Sequence, residues 1–236
     1  MKKDEDCNSE YFELNNKQIS ELIKLAKFKK NDVFYDLGAG TGKVVMAVAK
    51  SSPVVKSIGI ENTKCIYEKA RKQLNNQYRN GKIKNLDRVD FWLGSITNEE
   101  VDNDDILTLD YSDATIVFAG NAEDFGDIKL YKERIKHKKL RLISKDIPLV
   151  GYESKANRSN NDCWFFLSKR PFKRISKKMW IKSVCPSFKS LNDIYDYYYN
   201  RLERRFRENP EKPDKISKKL ARSAILELQL LINERF

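Results

Sequence analysis

Residues 33–45, Val-Phe-Tyr-Asp-Leu-Gly-Ala-Gly-Thr-Gly-Lys-Val-Val, constrain the fold of this chain more than any other stretch. Val33 to Leu37 is a short apolar run of β-branched and aromatic residues, the composition of a buried strand. The chain then passes Gly38, Gly40 and Gly42 at alternate positions. It leaves as Val44-Val45-Met46-Ala47-Val48-Ala49-Lys50, apolar enough for a mostly buried helix. Strand, glycine turn and helix together bring a backbone close to a ligand. Glycine has no Cβ to clash in unusual dihedrals, and a helix N-terminus carries unpaired N–H groups. The plain alternative is a tight strand-to-helix turn in an α/β protein.

The details of the turn say which ligand it suits. A phosphate loop needs Ser or Thr after its Gly-Lys, and Val44 follows Lys43. The dinucleotide pattern G-x-G-x-x-G also misfits, because the third glycine comes one residue early. An acid followed by glycines at alternate positions (Asp36, Gly38, Gly40, Gly42) resembles the S-adenosylmethionine-dependent methyltransferases of the Rossmann-like class. That ligand has no phosphate but carries an amino group, a carboxylate and a sulfonium, so an acid at the strand end is physically sensible.

Along the chain, residues 1–9 are polar. Ile19, Leu22, Ile23 and Ala26 follow helical spacing between Asn16 and Lys27. A second strand is expected over Val54–Glu61, ending on an acid about twenty residues past the glycines, where dinucleotide folds bond a ribose. Cys65–Tyr78 reads as a helix and Arg88–Ser95 as a third strand. Ala114–Ala119 reads as a buried strand ending at Gly120-Asn121, followed by a helix over Asp127–Lys136. Leu140–Ser144 is the fifth strand. Alternating strands and helices predict a parallel sheet with helices on both faces; the resemblance to the Rossmann-like methyltransferases implies their class I fold, a mostly parallel seven-stranded sheet. Ligands in such sheets sit beyond the carboxyl ends of the strands, which gathers Asp36, Glu61, Ser95 and Asn121 around one crevice. After Gly151, Asn157–Asp162 reads as a loop, while Cys163–Leu167 and Met179–Val184 read as a strand pair closing the sheet. Residues 191–206 and 216–236 carry helical stripes broken at Asn209–Pro213, a helical hairpin. The organisation is thus an N-terminal segment (1–30), a Rossmann-like core (31–186) and a C-terminal helical extension (187–236).

With these residues placed, the chain resembles the disruptor-of-telomeric-silencing family, histone-lysine methyltransferases with a Rossmann-like fold rather than a SET domain. Tyr11-Phe12-Glu13-Leu14 resembles the family's Tyr-Gly-Glu-Thr element, which holds the methionine end of the cofactor. Asp36 to Val45 matches Asp-Leu-Gly-x-Gly-x-Gly-x-Val-Val. Ser57–Glu61 resembles the family's second strand. Ile116–Asn121 resembles Val-Phe-Val-Asn-Asn, with Asn121 on the second asparagine, and Tyr131–Ile135 resembles a Leu-Lys-Glu-Arg-Phe helix. The resemblance implies S-adenosylmethionine as cofactor, held by Tyr11, Glu13, Asp36, Gly38, Gly40, Gly42, Lys43, Glu61, Ser95, Ile96 and Asn121. Asn121 and Tyr11 would act at the reacting centre, and Phe125, Tyr152, Trp164 and Phe165 would wall a channel for the acceptor lysine. The chain departs from the family at Phe12 and Leu14, which replace glycine and threonine, at Ser95 in place of aspartate, at Lys43 in place of glutamine and at Gly120 in place of asparagine. It resembles a compact form of the family, as in archaea.

Charge and rare residues narrow the partners. Residues 151–236 carry 20 Lys and Arg against 10 Asp and Glu, whereas the first 150 residues carry 26 against 24. A basic C-terminal part predicts contact with nucleic acid or an acidic surface. The single histidine, His137, sits in a basic run, which disfavours Ser-His-Asp and histidine-metal chemistry and leaves no metal expected. Cys7, Cys65, Cys163 and Cys185 form no C-x-x-C pair and read as thiols in a reducing compartment. No apolar run is long enough for a membrane span, and the N-terminus has no apolar signal core. The expectation is a monomeric protein-lysine N-methyltransferase acting on a chromatin or DNA-associated protein, cytoplasmic and nucleoid-associated in a prokaryote or nuclear in a eukaryote. The alternatives are an RNA or DNA methyltransferase on the same fold, and a non-catalytic cofactor- or nucleic-acid-binding module. Against an adenine-modifying enzyme, Gly120-Asn121-Ala122-Glu123 lacks the Asn/Asp-Pro-Pro-aromatic run.

Overall fold

The computed structural model describes residues 13–94, 110–120, 135–158, 164–184 and 188–207, together with 222, 225, 226, 228–230, 232, 233 and 236. Seven strands form one sheet: β1 (Val33–Leu37), β2 (Lys56–Glu61), β3 (Val89–Leu93), β4 (Ile116–Ala119), β5 (Arg141–Lys145), β6 (Lys155–Arg158) and β7 (Trp164–Lys169). Their order is β3-β2-β1-β4-β5-β7-β6. The first five strands pair in parallel, and β7 runs antiparallel between β5 and β6. The central strands are buried on both faces, which is why β1 and β4 read as near-continuous apolar runs without polar alternation. The strand order reverses between β1 and β4, so a crevice opens beyond their carboxyl ends.

Side-chain alternation divides the core between the two faces of the sheet. Phe34, Phe118, Ile143 and Phe165 meet α1 (Asn16–Ala26) and α2 (Lys43–Ser51) on one face. Tyr35, Leu37, Val117 and Leu142 pack with Tyr111 and Tyr152 on the other. A third cluster joins α2 to α3 (Lys64–Arg79) around Phe91. Helix α1 starts where Asn15 and Gln18 cap each other's backbone N–H groups at 2.9 and 2.8 Å, satisfying two otherwise orphaned donors. At the amino end of the sheet, Asp32 is buried and receives the Arg141 guanidinium at 2.5 Å and the Thr115 hydroxyl at 3.0 Å. This network ties the chain entering β1 to the starts of β4 and β5, far along the strands from the crevice.

The C-terminal part departs from the sequence-based expectation. Met179–Val184 is not a strand: it belongs to α4 (Lys177–Val184). An apolar run of six residues is ambiguous between strand and helix, and here burial decides. Trp180, Ile181 and Val184 are buried at helical spacing and Lys182 is exposed, whereas alternation would have put Lys182 on the same face as Trp180. The strand that completes the sheet is β6, which takes Asn157 and its neighbours out of the expected loop and pairs Ala156 with Phe166. Helix α4 packs with α5 (Leu191–Arg207) and with Leu228 and Ile232 against Ile147 and Val150. Residues 225–226, 228–230 and 232–233 are helical, and the break at Asn209–Pro213 lies outside the described residues. So does most of the helix expected over Asp127–Lys136, whose last two positions are not helical. Cys65 is disulfide-bonded, which corrects the reading of four thiols. Linear spacing does not report which cysteines meet in space; the other three lie outside the described residues.

Candidate active site

The glycine turn crosses from the end of β1 to α2 with φ of +77°, +55° and +79° at Gly38, Gly40 and Gly42. All three values fall in the left-handed region that only glycine visits freely. A Cβ on Gly38 would meet nothing within 4 Å, so the backbone there faces open space. A Cβ on Gly42 would instead overlap the Phe91 ring. The two glycines therefore do different things: Gly42 lets the turn pack on β3, and Gly38 leaves room in front of it.

The turn is held from within. Gly38 and Ala39 donate their N–H groups to the Ile60 carbonyl at 2.9 and 2.8 Å, and Gly42 donates to the Ala39 carbonyl at 2.9 Å. Gly40 donates to Glu61 Oε2 at 2.9 Å, while Glu61 Oε1 accepts from the Thr63 N–H at 3.0 Å. The N–H groups of the turn itself are thus committed within the protein at residues 38, 39, 40 and 42. Glu61 is buried at the end of β2, with each carboxylate oxygen accepting a backbone N–H bond. A carboxylate offers about four acceptor positions, so capacity remains for ligand hydroxyls.

Asp36 is buried beside it, and desolvation, followed by the charge of Glu61, pushes its pKa well above the usual carboxylate range. Two acids at neighbouring strand ends in a dry crevice repel each other, a situation that a bound cation relieves. Glu13 closes the crevice from the N-terminal side, accepting from the Thr41 hydroxyl and pairing with Lys43 at 3.9 Å. A cavity of about 60 Å³ is enclosed by Glu13, Leu14, Asp36, Gly38, Ala39, Gly40, Lys43, Val44, Phe118, Gly120 and Lys145. A larger trough of about 890 Å³ runs from Glu13 and Lys43 between α1 and α3 over α2. We place the site in the smaller cavity because the buried acid Asp36 and the ends of β1, β4 and β5 line it.

Of the residues singled out from the sequence, Glu13, Asp36, Gly38, Gly40, Gly42, Lys43 and Glu61 come together around this crevice. Tyr11, Ser95, Ile96, Asn121 and Phe125 lie outside the described residues, and Trp164 is placed only as the start of β7. The two described aromatics expected to wall a channel lie apart. Phe165 packs edge-on to Phe118 on the α1–α2 face, whereas Tyr152 packs in the opposite cluster and meets Phe172. Both side chains are buried in these core clusters, on opposite faces of the sheet. Sequence reasoning missed Lys145, a buried lysine that ends β5. Its signal was a cation two residues past Ile143 on a buried strand, hence on the same face as Ile143. It also missed Gly59, where a Cβ would lie 2.7 Å from Ala39 Cβ and from Phe91 Cδ1.

The donor set fits S-adenosylmethionine. Acids at successive strand ends suit its ammonium and ribose hydroxyls, and Gly38 leaves backbone-level room for the ligand. Among the described residues, no group of three or more His, Cys, Asp or Glu side chains could hold a metal ion, and no helix is long and apolar enough to cross a membrane.

Comparisons with known proteins agree with this geometry. A crystal structure of an RNA methyltransferase from Salinibacter ruber in complex with S-adenosyl-L-homocysteine aligns with a TM-score of 0.55 and 22% identity, covering 70% of this chain and 97% of that one. At that identity the likeness is one of fold. A protein-lysine N-methyltransferase from Saccharolobus islandicus (strain REY15A) is 34% identical over 65 residues, which cover 28% of this chain and 38% of that protein. The family model described as histone methylation protein DOT1 matches residues 4–144. With more than half of its length on that model and an acid-lined crevice at the switch point of its sheet, the chain belongs to the DOT1 histone-methylation family and has the class I S-adenosylmethionine methyltransferase fold.

Proposed function

We propose that this protein is an S-adenosylmethionine-dependent protein-lysine N-methyltransferase acting on a chromatin or other DNA-associated protein. The observation that carries the reading is the buried pair Asp36 and Glu61 at successive strand ends around the glycine turn, in a chain matched by the DOT1 family model. The partial match to a named protein-lysine N-methyltransferase supports lysine as the acceptor.

Bound in the crevice, S-adenosylmethionine supplies a methyl group on a sulfonium, open to in-line displacement. The chain's own residues position the reactants. Glu61 fixes Gly40 and Thr63 and keeps lone pairs for hydroxyls, while Phe118, Leu14 and Val44 give the crevice apolar walls. An acceptor lysine must arrive neutral, and deprotonating a group of pKa about 10.4 at neutral pH costs roughly 4–5 kcal/mol. Apolar surroundings favour the uncharged amine and lower that cost. The basic C-terminal part would hold nucleic acid or an acidic protein face alongside the substrate.

Incubation with methyl-labelled cofactor and separate pools of basic proteins, RNA and DNA tests the proposal. Label in acid-stable lysine of the protein pool is the expected result, and label confined to nucleic acid overturns it in favour of an RNA or DNA methyltransferase. DNA affinity should fall steeply with salt, and a salt-independent affinity would remove the electrostatic role of the C-terminal part.

A further inference from the structure

Thr41 is a spacer between Gly40 and Gly42 in the glycine pattern, yet its side chain ties the turn to another element. Its hydroxyl donates to Glu13 Oε1, 28 residues earlier in the chain. The backbone on either side is fixed. The Gly40 N–H donates to Glu61 Oε2 and the Gly42 N–H to the Ala39 carbonyl, both at 2.9 Å. Thr41 itself is 7% exposed, and branching at Cβ restricts its χ1. The hydroxyl is therefore held in the frame of β1 and β2, and Glu13 is tied to that frame through it.

Glu13 has two partners in the turn, and magnitudes separate them. Lys43 stands 3.9 Å from Oε2, with side chains 40% and 34% exposed. An ion pair that open to solvent changes an equilibrium by about fivefold or less. A hydroxyl bond to a carboxylate, given by a buried donor, is worth about tenfold or more. Thr41 is thus the stronger hold. Leu14, the next residue, is buried in the cluster of the α1–α2 face and anchors the backbone. What remains to be set is the direction of the Glu13 side chain, and Thr41 sets it. Glu13 lines both the small cavity, with Asp36, and the larger trough, so it stands where the two meet.

Resting on the cofactor reading above, we infer that Thr41 is a positioning residue, which holds the Glu13 carboxylate beside the cationic amino-acid head of S-adenosylmethionine. An oxygen that accepts from Thr41 keeps a lone pair for the ammonium. Glu61 keeps its place through separate bonds to Gly40 and Thr63, so the ribose side does not depend on the Thr41 hydroxyl. Thr41 therefore governs affinity for the head and not for the nucleoside.

Calorimetric titration with S-adenosylmethionine and with methylthioadenosine, which keeps the nucleoside and lacks the amino-acid head, tests the assignment. Thr41→Val replaces the hydroxyl by a methyl group. It should weaken S-adenosylmethionine about tenfold while leaving methylthioadenosine within about twofold. Thr41→Ser keeps the donor and should restore most of that affinity. Glu13→Asp keeps the charge but withdraws it by one methylene, and should give the same selective loss. Adding Thr41→Val to Glu13→Asp should then change affinity by less than about twofold. Melting by circular dichroism establishes that each variant folds; if Thr41→Val does not, Glu13→Asp alone decides. Equal losses for the two ligands mean that Thr41 only supports the turn, which overturns the assignment. Unchanged affinity, or additive effects of the two substitutions, overturns it as well. A wild-type protein that binds neither ligand removes the cofactor reading itself, and the inference falls with it.

Discussion

Gly59 is the position at which the structure makes its sharpest quantitative demand. It lies in the middle of β2 between Asp36 of β1 and Phe91 of β3. A Cβ there would stand 2.7 Å from Ala39 Cβ, 2.7 Å from Phe91 Cδ1 and 2.8 Å from Phe91 Cε1. Carbon atoms rest at about 3.5–4.0 Å, so the ring and the turn must each retreat by about 1 Å. Phe91 is 1% exposed, and Ala39 is tied to β2 through the Ile60 carbonyl, so neither yields cheaply. Overpacking of this kind costs about 1–3 kcal/mol, against a gain of roughly 0.5–1 kcal/mol from removing a strand glycine. Gly59→Ala should therefore lower stability by about 1–2 kcal/mol in urea denaturation, or about 2–8 °C in melting temperature. Relief should come in halves. Phe91→Leu in the Gly59→Ala background frees the ring contact, and Ala39→Gly frees the turn contact. Each pair should show a favourable coupling of at least about 0.5 kcal/mol in a double-mutant cycle. A Gly59→Ala protein as stable as wild type, or strictly additive pairs, would refute the claim that the turn packs on β2 at glycine distance.

Other perturbations separate the site from its support. Gly42→Ala combines a left-handed φ with overlap on Phe91 and should cost about 2–4 kcal/mol of stability, whereas Gly38→Ala, facing open space, should cost about 1–2 kcal/mol in a urea melt and weaken S-adenosylmethionine binding about tenfold or more in calorimetry. Asp32→Ala leaves Arg141 and Thr115 without their buried partner and should cost about 3–5 kcal/mol in denaturation while leaving cofactor affinity unchanged, since the network lies at the other end of the strands. Asp36 has its folded pKa raised by desolvation and by Glu61, so the folded state holds the proton more tightly than the unfolded chain. Its contribution to stability is fully present below the unfolded value near 3.8 and is lost as pH rises through the folded one. Urea midpoints of the wild type should therefore fall across that window relative to Asp36→Asn, and parallel profiles would contradict the burial of this acid.

Periodicity and glycine placement by themselves determine much of the architecture. β1, β4 and β5 were legible because strands buried on both faces must be apolar throughout. The turn after β1 was legible because three glycines at alternate positions have little use other than positive φ. Asp36 and Glu61 could be assigned to one crevice from topology alone, since parallel strands put their carboxyl ends on one edge. Tertiary structure decided what local pattern leaves degenerate. Met179–Val184 is compatible with strand or helix until the position of Ile147 and Val150 shows which face must be buried. Tyr152 and Phe165 look alike as channel aromatics, and only the two faces of the sheet separate them. Lys145 is one basic residue among 46 Lys and Arg until β5 is laid beside β4 and its side chain falls on the same face as Asp36. A sequence encodes which residues want burial or a special dihedral; which of them share one face of the sheet is fixed only when non-local strands pair.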